Sequence, residues 1–203
     1  RDCLVAGLLC NDSRLVKDGE RWGALGDPTE VALIVAGRKG GLDPGAELER
    51  WPRVDAIPFE SERRFMATLH ADGAAGRIAF LKGAVEAVVE RCAHALEESN
   101  ASVPIDRQDL LRQAQDLAAR GLRVLALARG TLPDGAPHLH ADDVAGGLTF
   151  LGLAGMIDPP RPEAATAVRR CQEAGVRVKM ITGDHPLTAL TIARQLGLGG
   201  SDA

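Results

Sequence analysis

Apolar residues recur along this chain with two periods, and the place where each period runs decides which element it predicts. Residues 1–10 space their apolar positions for a short helix. Asp27, Pro28, Thr29 and Glu30 read as a helix start, with Asp27 as N-cap, Pro28 in the first turn and Glu30 at the capping-box position. Val31 to Ala36 forms its body, and Gly40 to Arg53 is loop-like. Val54 to Pro58, Arg64 to Ala71 and Arg77 to Lys82 read as strands, the last two joined by Asp72 to Gly76, which suits a hairpin. Val85 to Leu96 sets Val85, Val88, Val89 and Cys92 on one helical face. Asp106 caps a further helix, Arg107 to Arg120, stopped by Gly121, and Leu122 to Ala128 is a strand. The Pro/Gly/Asp-rich stretch 130–147 is the longest irregular connection.

The pattern then changes. Leu148 to Ile157 is an apolar run, a buried strand stopped by Asp158, Pro159 and Pro160. Pro162 suits a first helical turn, Glu163 to Ala174 carries a helix to Gly175, and Val176 to Ile181 is a second β-rich strand. It ends in Thr182, Gly183 and Asp184, and a helix from Pro186 to Leu196 closes on Gly197. The fold expected is α/β overall: an α+β domain over 1–157, then a parallel βαβα segment over 158–203. Asp158, Pro159, Pro160 and Arg161 form the junction. Thr182 and Asp184 fall at a strand's carboxyl end beside a helix N-terminus, where open α/β sheets bind phosphate. A tight turn with an N-cap explains the same residues equally well.

Composition narrows the function. The 24 basic and 28 acidic residues are interspersed and sum to −4, which argues against a nucleic-acid surface. No apolar run approaches the ~18–20 residues that span a bilayer, and the N-terminus carries no secretory pattern. Cys3, Cys10, Cys92 and Cys171 are isolated and read as reduced thiols of a cytosolic protein, while His138 and His140 sit in a solvated loop. There is no Walker-type phosphate loop.

Leu9 to Ser13, Gly26 to Glu30, Pro58 to Met66, Phe80 to Ala84, Gly121 to Leu125 and Asp158 to Arg161 followed by Met180 to His185 occur in this order. Together they resemble the P-type cation-transporting ATPases, the family of the calcium pumps and their bacterial relatives. The resemblance implies a nucleotide-binding domain, followed by part of a haloacid-dehalogenase-like phosphorylation domain, on the cytoplasmic side of a membrane. Its partners are ATP and the rest of the pump: the membrane, actuator and phosphorylation domains. It implies that Phe59 stacks on adenine, Glu30 accepts from the adenine amino group, and Lys82 stands at the pocket mouth with Gly83 admitting the ligand. Arg64, where animal calcium pumps carry a lysine, and Arg123 reach the phosphates, and Leu125 packs under the ribose and adenine. Thr182 and Asp184 position the phosphoryl group, nucleotide or metal, and Asp158 to Arg161 is a hinge.

The residues alone leave plainer readings open: Phe59 in the core, Lys82 solvated at a strand end, Glu30 as a cap, Leu125 in simple packing and Arg123 exposed. The chain has neither the family's phosphorylated Asp-Lys-Thr-Gly-Thr nor its Gly-Asp-Gly-x-Asn-Asp magnesium motif. The expectation is therefore a chain that holds ATP and does not turn it over, with the Mg2+ site mostly elsewhere. A stand-alone haloacid-dehalogenase-like phosphatase and a regulatory binding module are the rival readings.

Overall fold

Residues 1–19, 21–73, 76–157, 160–183 and 186–198 are described by the computed structural model. Contacts divide the chain into two units: Arg1–Leu110 with Leu125–Ala154, and Leu111–Val124 with Gly155–Ala203.

The first unit opens with α1 (Asp2–Leu9), a two-stranded hairpin of β1 (Arg14–Asp18) and β2 (Arg21–Leu25), α2 (Pro28–Lys39) and α3 (Pro44–Arg50). The main sheet has seven strands: β3 (Arg53–Glu60), β4 (Phe65–Asp72), β5 (Gly76–Gly83), β6 (Cys92–Leu96), β7 (Ser102–Pro104), β8 (Arg123–Leu132) and β9 (Leu148–Met156). Their spatial order is β3-β4-β5-β8-β9-β6-β7. β3, β4, β5 and β8 pair antiparallel, β6 runs parallel to β9, and β7 is antiparallel to β6. The sheet is mixed, and the fold is α+β. α4 (Val85–Arg91) follows β5 and α5 (Arg107–Ala119) follows β7.

β4 sits inside this sheet, and its residues Phe65 to His70 are all buried. Met66 on one face packs with Ile78, Phe80 and Leu127 against Val5, Leu8 and Leu9 of α1. Phe65, Ala67 and Leu69 point the other way by strand alternation, and the Arg91 guanidinium of α4 lies 4.5 Å from the Phe65 ring centroid. A strand covered on both faces carries no clean polar alternation. His70 is the polar exception in this core. Its Nδ1 lies 2.8 Å from the Trp51 carbonyl, its Nε2 lies 2.9 Å from Thr68 Oγ1, and its ring meets Phe80 edge-on at 5.5 Å. Burial holds its pKa below the ordinary imidazole value.

Four segments depart from the sequence expectations. Gly40 to Arg53, expected as loop, contains α3, where Asp43 caps Ala46 N–H at 3.0 Å and Pro44 starts the helix. That is the device seen at Asp27 and Pro28, on a helix of only seven residues with a glycine in its first turn. The helix expected over Val85 to Leu96 ends at Arg91. Cys92 pairs with Leu148, and His94 with both Thr149 and Pro104, so ladders on both sides outweigh the helical period. β8 continues to Leu132, and Ala141–Val144 forms a 3-10 turn, which shortens the expected loop.

The fourth departure is Val176 to Ile181. It is irregular, with Val176 54% and Ile181 98% exposed. β-rich composition makes a strand only when a neighbour supplies the ladder, and no strand pairs with it among the described residues. Among the described residues, the strand expected at this point of the βαβα segment is therefore not seen. The segment's helices, α6 (Pro162–Glu173) and α7 (Pro186–Gln195), belong to the second unit. Thr188 Oγ1 donates to the Leu122 carbonyl at 3.0 Å, seating α7 on the turn after α5, and Thr191 Oγ1 lies 3.2 Å from the Ala119 carbonyl and 3.0 Å from that of Leu187 in its own helix. Gly121, at φ +81, makes that turn.

Candidate functional site

One end of the sheet gathers most of the candidate residues of the first unit. Register places Glu60 opposite Phe65, Phe65 opposite Gly83, and Gly83 opposite Ala126. The carboxyl ends of β3 and β5 and the start of β4 meet there, next to β8. Arg64 makes the tight connection, in the left-handed region at φ 57. Its N–H donates to the Glu60 carbonyl at 2.7 Å, and its own carbonyl accepts from Ala84 N–H at 2.9 Å. The Arg64 side chain is exposed. A Cβ on Gly83 would stand 2.4 Å from the Arg64 carbonyl oxygen and 2.8 Å from Phe65 Cα. The glycine at 83 is required by the protein's own backbone, whatever it offers a ligand.

Lys82 lies on the α1 face, opposite Met66 and Leu127, and is only 6% exposed. Its ammonium meets Glu30 Oε1 at 2.5 Å. The solvated-lysine reading is excluded. Glu30 arrives from the first turn of α2, where Asp27 Oδ1 caps Thr29 N–H at 2.8 Å and Glu30 N–H at 3.3 Å. Its second oxygen, Oε2, accepts from Ser13 Oγ at 2.8 Å and from Asp12 N–H at 3.0 Å. The sequence offered Glu30 a choice between cap and ligand acceptor; three of its carboxylate's acceptor sites are taken by this ion pair and loop, and one on Oε1 is not. The pair is nearly dry, so removing one partner strands a charge, which costs about 3–5 kcal/mol in fully buried cases.

Phe59, beside the irregularity between Ile57 and Glu60 in β3, is 60% exposed. It is not a core residue. A large ring left in water on a strand end has surface to offer a flat partner. Leu125 is half-buried and, by alternation, shares a face with Leu127 and hence with Lys82. The first unit thus brings Glu30, Lys82, Phe59, Arg64, Gly83 and Leu125 to one end of the sheet.

The remaining candidates are placed separately. Arg123 begins β8, exposed, within the second unit. Thr182 and Gly183 are exposed before α7, and Asp184 lies outside the described residues, as do Asp158 and Pro159. Pro160 and Arg161 lead into α6, with Arg161 at the N-cap position making no side-chain cap.

All four cysteines are free. Burial pushes the Cys10 thiol up to about 11 and that of Cys92 to about 12, so neither supplies a thiolate nucleophile. Among the described residues no cluster of three or more His, Cys, Asp or Glu is arranged to hold a metal, and no helix is long and apolar enough to cross a membrane. His138 and His140 stand 6.4 Å apart, centroid to centroid, in the loop expected for them, with His138 3.4 Å from Asp55.

Sequence reasoning passed over the residues behind Glu30. Asn11, Asp12 and Ser13 belong to a block with a recognisable pattern, but no role attached to it. The available signal was the abrupt polar run Asn11 to Ser13 directly after an apolar helix.

Comparison with known proteins gives a consistent result. Residues 1–163 match the family described as P-type ATPase, cytoplasmic domain N. The chain is 48% identical over 200 residues to "Cation-transporting ATPase pma1" of Synechocystis, covering 97% of this chain and 22% of that protein. It is 35% identical to "Calcium-transporting ATPase 1" of Bacillus cereus, over 94% of this chain and 21% of that one. It is 40% identical to "Sodium/potassium exporting P-type ATPase cta3" of Schizosaccharomyces pombe, over 94% and 18% respectively. The chain thus spans about a fifth of the length of these relatives.

Proposed function

Because the chain belongs to the P-type cation-transporting ATPases, as their cytoplasmic domain N, we propose that it holds ATP for a pump that phosphorylates itself on an aspartate. The observation that carries this reading is the pairing, at one sheet end, of an exposed aromatic ring, Phe59, with a nearly dry Lys82–Glu30 ion pair. The ring offers a stacking face for adenine. Glu30 supplies an acceptor for the base's amino group, and Lys82 fixes that carboxylate while presenting positive charge at the strand end. Leu125 supports the sugar and base from β8. Arg64, exposed, is the cation of this unit that reaches toward phosphate, and for Arg123 the phosphate role rests on the family resemblance alone.

Residues 1–157 are the nucleotide-binding domain in this reading, and 158–203 begin the phosphorylation domain. In the whole pump a carboxylate oxygen, from an Asp-Lys-Thr-Gly-Thr segment outside this sequence, attacks the γ-phosphorus. The bond to the β–γ bridging oxygen breaks, ADP departs, and an acyl phosphate remains for water to hydrolyse. Thr182 and Asp184 assist by orienting the phosphoryl group, and Asp158 to Arg161 bend so that ATP reaches the nucleophile. The magnesium site is assigned mostly to the rest of the pump, because the Gly-Asp-Gly-x-Asn-Asp motif that the family uses for it is not in this sequence. The domain works on the cytoplasmic side of a membrane, with the membrane, actuator and phosphorylation domains as partners, and the cargo is a cation.

Calorimetric titration with ATP, ADP and AMP tests the binding half of this reading. Dissociation constants of about 0.1 to a few mM, similar for all three, are expected, because the adenosine side of the site is here and the magnesium side is not. Micromolar binding that demands the γ-phosphate would overturn it.

A further inference from the structure

We infer that Ser13 is a positioning residue for base selection, acting through Glu30; the inference rests on the nucleotide reading above. An ionised carboxylate has about four lone-pair sites, two on each oxygen. On Glu30, Ser13 Oγ and Asp12 N–H occupy both sites of Oε2, and Lys82 occupies one of Oε1. One acceptor site is left, on Oε1, next to the lysine. Glu30 therefore presents a single acceptor in one orientation, which suits a purine carrying an exocyclic amino donor and repels one carrying a carbonyl oxygen in its place.

The surroundings of Ser13 hold this arrangement from behind. Ser13 N–H donates to Asn11 Oδ1 at 2.9 Å, while Asn11 Nδ2 donates to the carbonyls of Gly7 at 3.2 Å and Glu30 at 2.8 Å. Asn11 thereby ties the end of α1, the Ser13 loop and the first turn of α2 together. Arg53 of β3 grips the same loop, at 2.6 Å from Asp12 Oδ1 and 3.3 Å from the Asn11 carbonyl. Gly26, at φ +112, clears the serine's seat: a Cβ there would fall 2.1 Å from Ser13 Oγ. Ser13 Oγ also lies 3.4 Å from the Asp27 carbonyl, but its one proton is better given to the closer, charged oxygen at 2.8 Å. Without the hydroxyl, Oε2 regains a free site, and the carboxylate can rotate to share both oxygens with Lys82. The single-acceptor geometry is then lost.

The test measures dissociation constants of ATP and inosine triphosphate, which replaces the amino group by a carbonyl, for the unmodified chain and for Ser13→Ala, Ser13→Thr and Ser13→Cys. The unmodified chain should prefer ATP. Ser13→Ala should lower the ATP-over-inosine-triphosphate ratio about five-fold, the worth of one hydrogen bond, and Ser13→Thr should restore it. Ser13→Cys, a near-isosteric weak donor, should fall between, and it decides the matter if Ser13→Ala does not fold. An unchanged ratio in the alanine and cysteine variants, with ATP still preferred, would overturn the role of Ser13 and leave the nucleotide reading standing. Absence of binding by the unmodified chain would remove both.

Discussion

Lys82 and Glu30 give the sharpest energetic prediction, because structure and sequence disagree on what losing the lysine should do. A lysine solvated at a pocket mouth is replaced at little cost to stability. Here its side chain is 8% exposed and that of Glu30 15%, with 2.5 Å between Nζ and Oε1. Lys82→Met keeps the volume and removes the charge, leaving Glu30 ionised with only Ser13 and Asp12 as donors. The cost should fall near or just below the lower end of the range for broken buried pairs, about 2–3 kcal/mol, because Oε2 keeps both donors and the group is not fully dry. Glu30→Gln leaves an ammonium facing an amide oxygen and should cost about 1–2 kcal/mol. The double variant carries no stranded charge and should lose no more than about 1 kcal/mol, so the coupling energy should be about 2–5 kcal/mol. Urea unfolding of the four proteins, compared at constant m, gives these values directly. Additive single effects, within about 0.5 kcal/mol, would show that the pair does not form, and the geometry assigned to Glu30 would fall with it.

Other outcomes follow from the same geometry. Phe59→Ala should leave the urea midpoint within about 0.5 kcal/mol of the unmodified chain and weaken ATP binding several-fold, since the ring faces water; a large stability loss would place it in the core. Gly83→Ala should destabilise by at least about 2 kcal/mol, because its Cβ meets backbone atoms that cannot yield, and an unchanged melting temperature would contradict the turn geometry at Arg64. His70 is kept neutral chiefly by burial. The stability it contributes should be complete above about pH 6.5 and decline as pH falls toward its lowered folded value, by at most ~1.4 kcal/mol per unit, because the unfolded chain takes the proton first. An NMR titration showing an ordinary or raised His70 pKa would reverse that sign. Incubation with γ-labelled ATP and acid quench should leave no label on this chain; hydroxylamine-sensitive label would mean that an aspartate in it is phosphorylated.

Local chemistry was readable where it acts within a few residues. Asp27 with Pro28, Asp106 ahead of α5, and the β-rich runs of β3, β4 and β5 with the Asp72 to Gly76 turn all announce themselves, since caps, turns and strand composition are properties of the segment itself. Asp43 with Pro44 carried the same signal on too short a helix to show a period. Pairing was not readable. Cys92 to Leu96 continues a helical pattern and becomes a strand because β7 and β9 flank it, while Val176 to Ile181 has strand composition and no neighbour. At the candidate site, the sequence could nominate Phe59, Lys82 and Glu30 only through resemblance. Which group takes the Lys82 charge depends on a contact across 52 residues of chain, and whether Phe59 faces water depends on what packs against the end of β3. Ser13 was invisible as a participant for the same reason: its partner lies 17 residues away, on another element.

The most direct test of the central claim is an NMR titration of the chain with ATP, following backbone amide shifts residue by residue. Saturable changes should concentrate at Phe59, Lys82, Gly83 and Leu125 and on the Glu30 turn, with similar patterns for ADP and AMP. Saturable shifts that leave this end of the sheet untouched, or no shifts at millimolar ATP, would contradict the account.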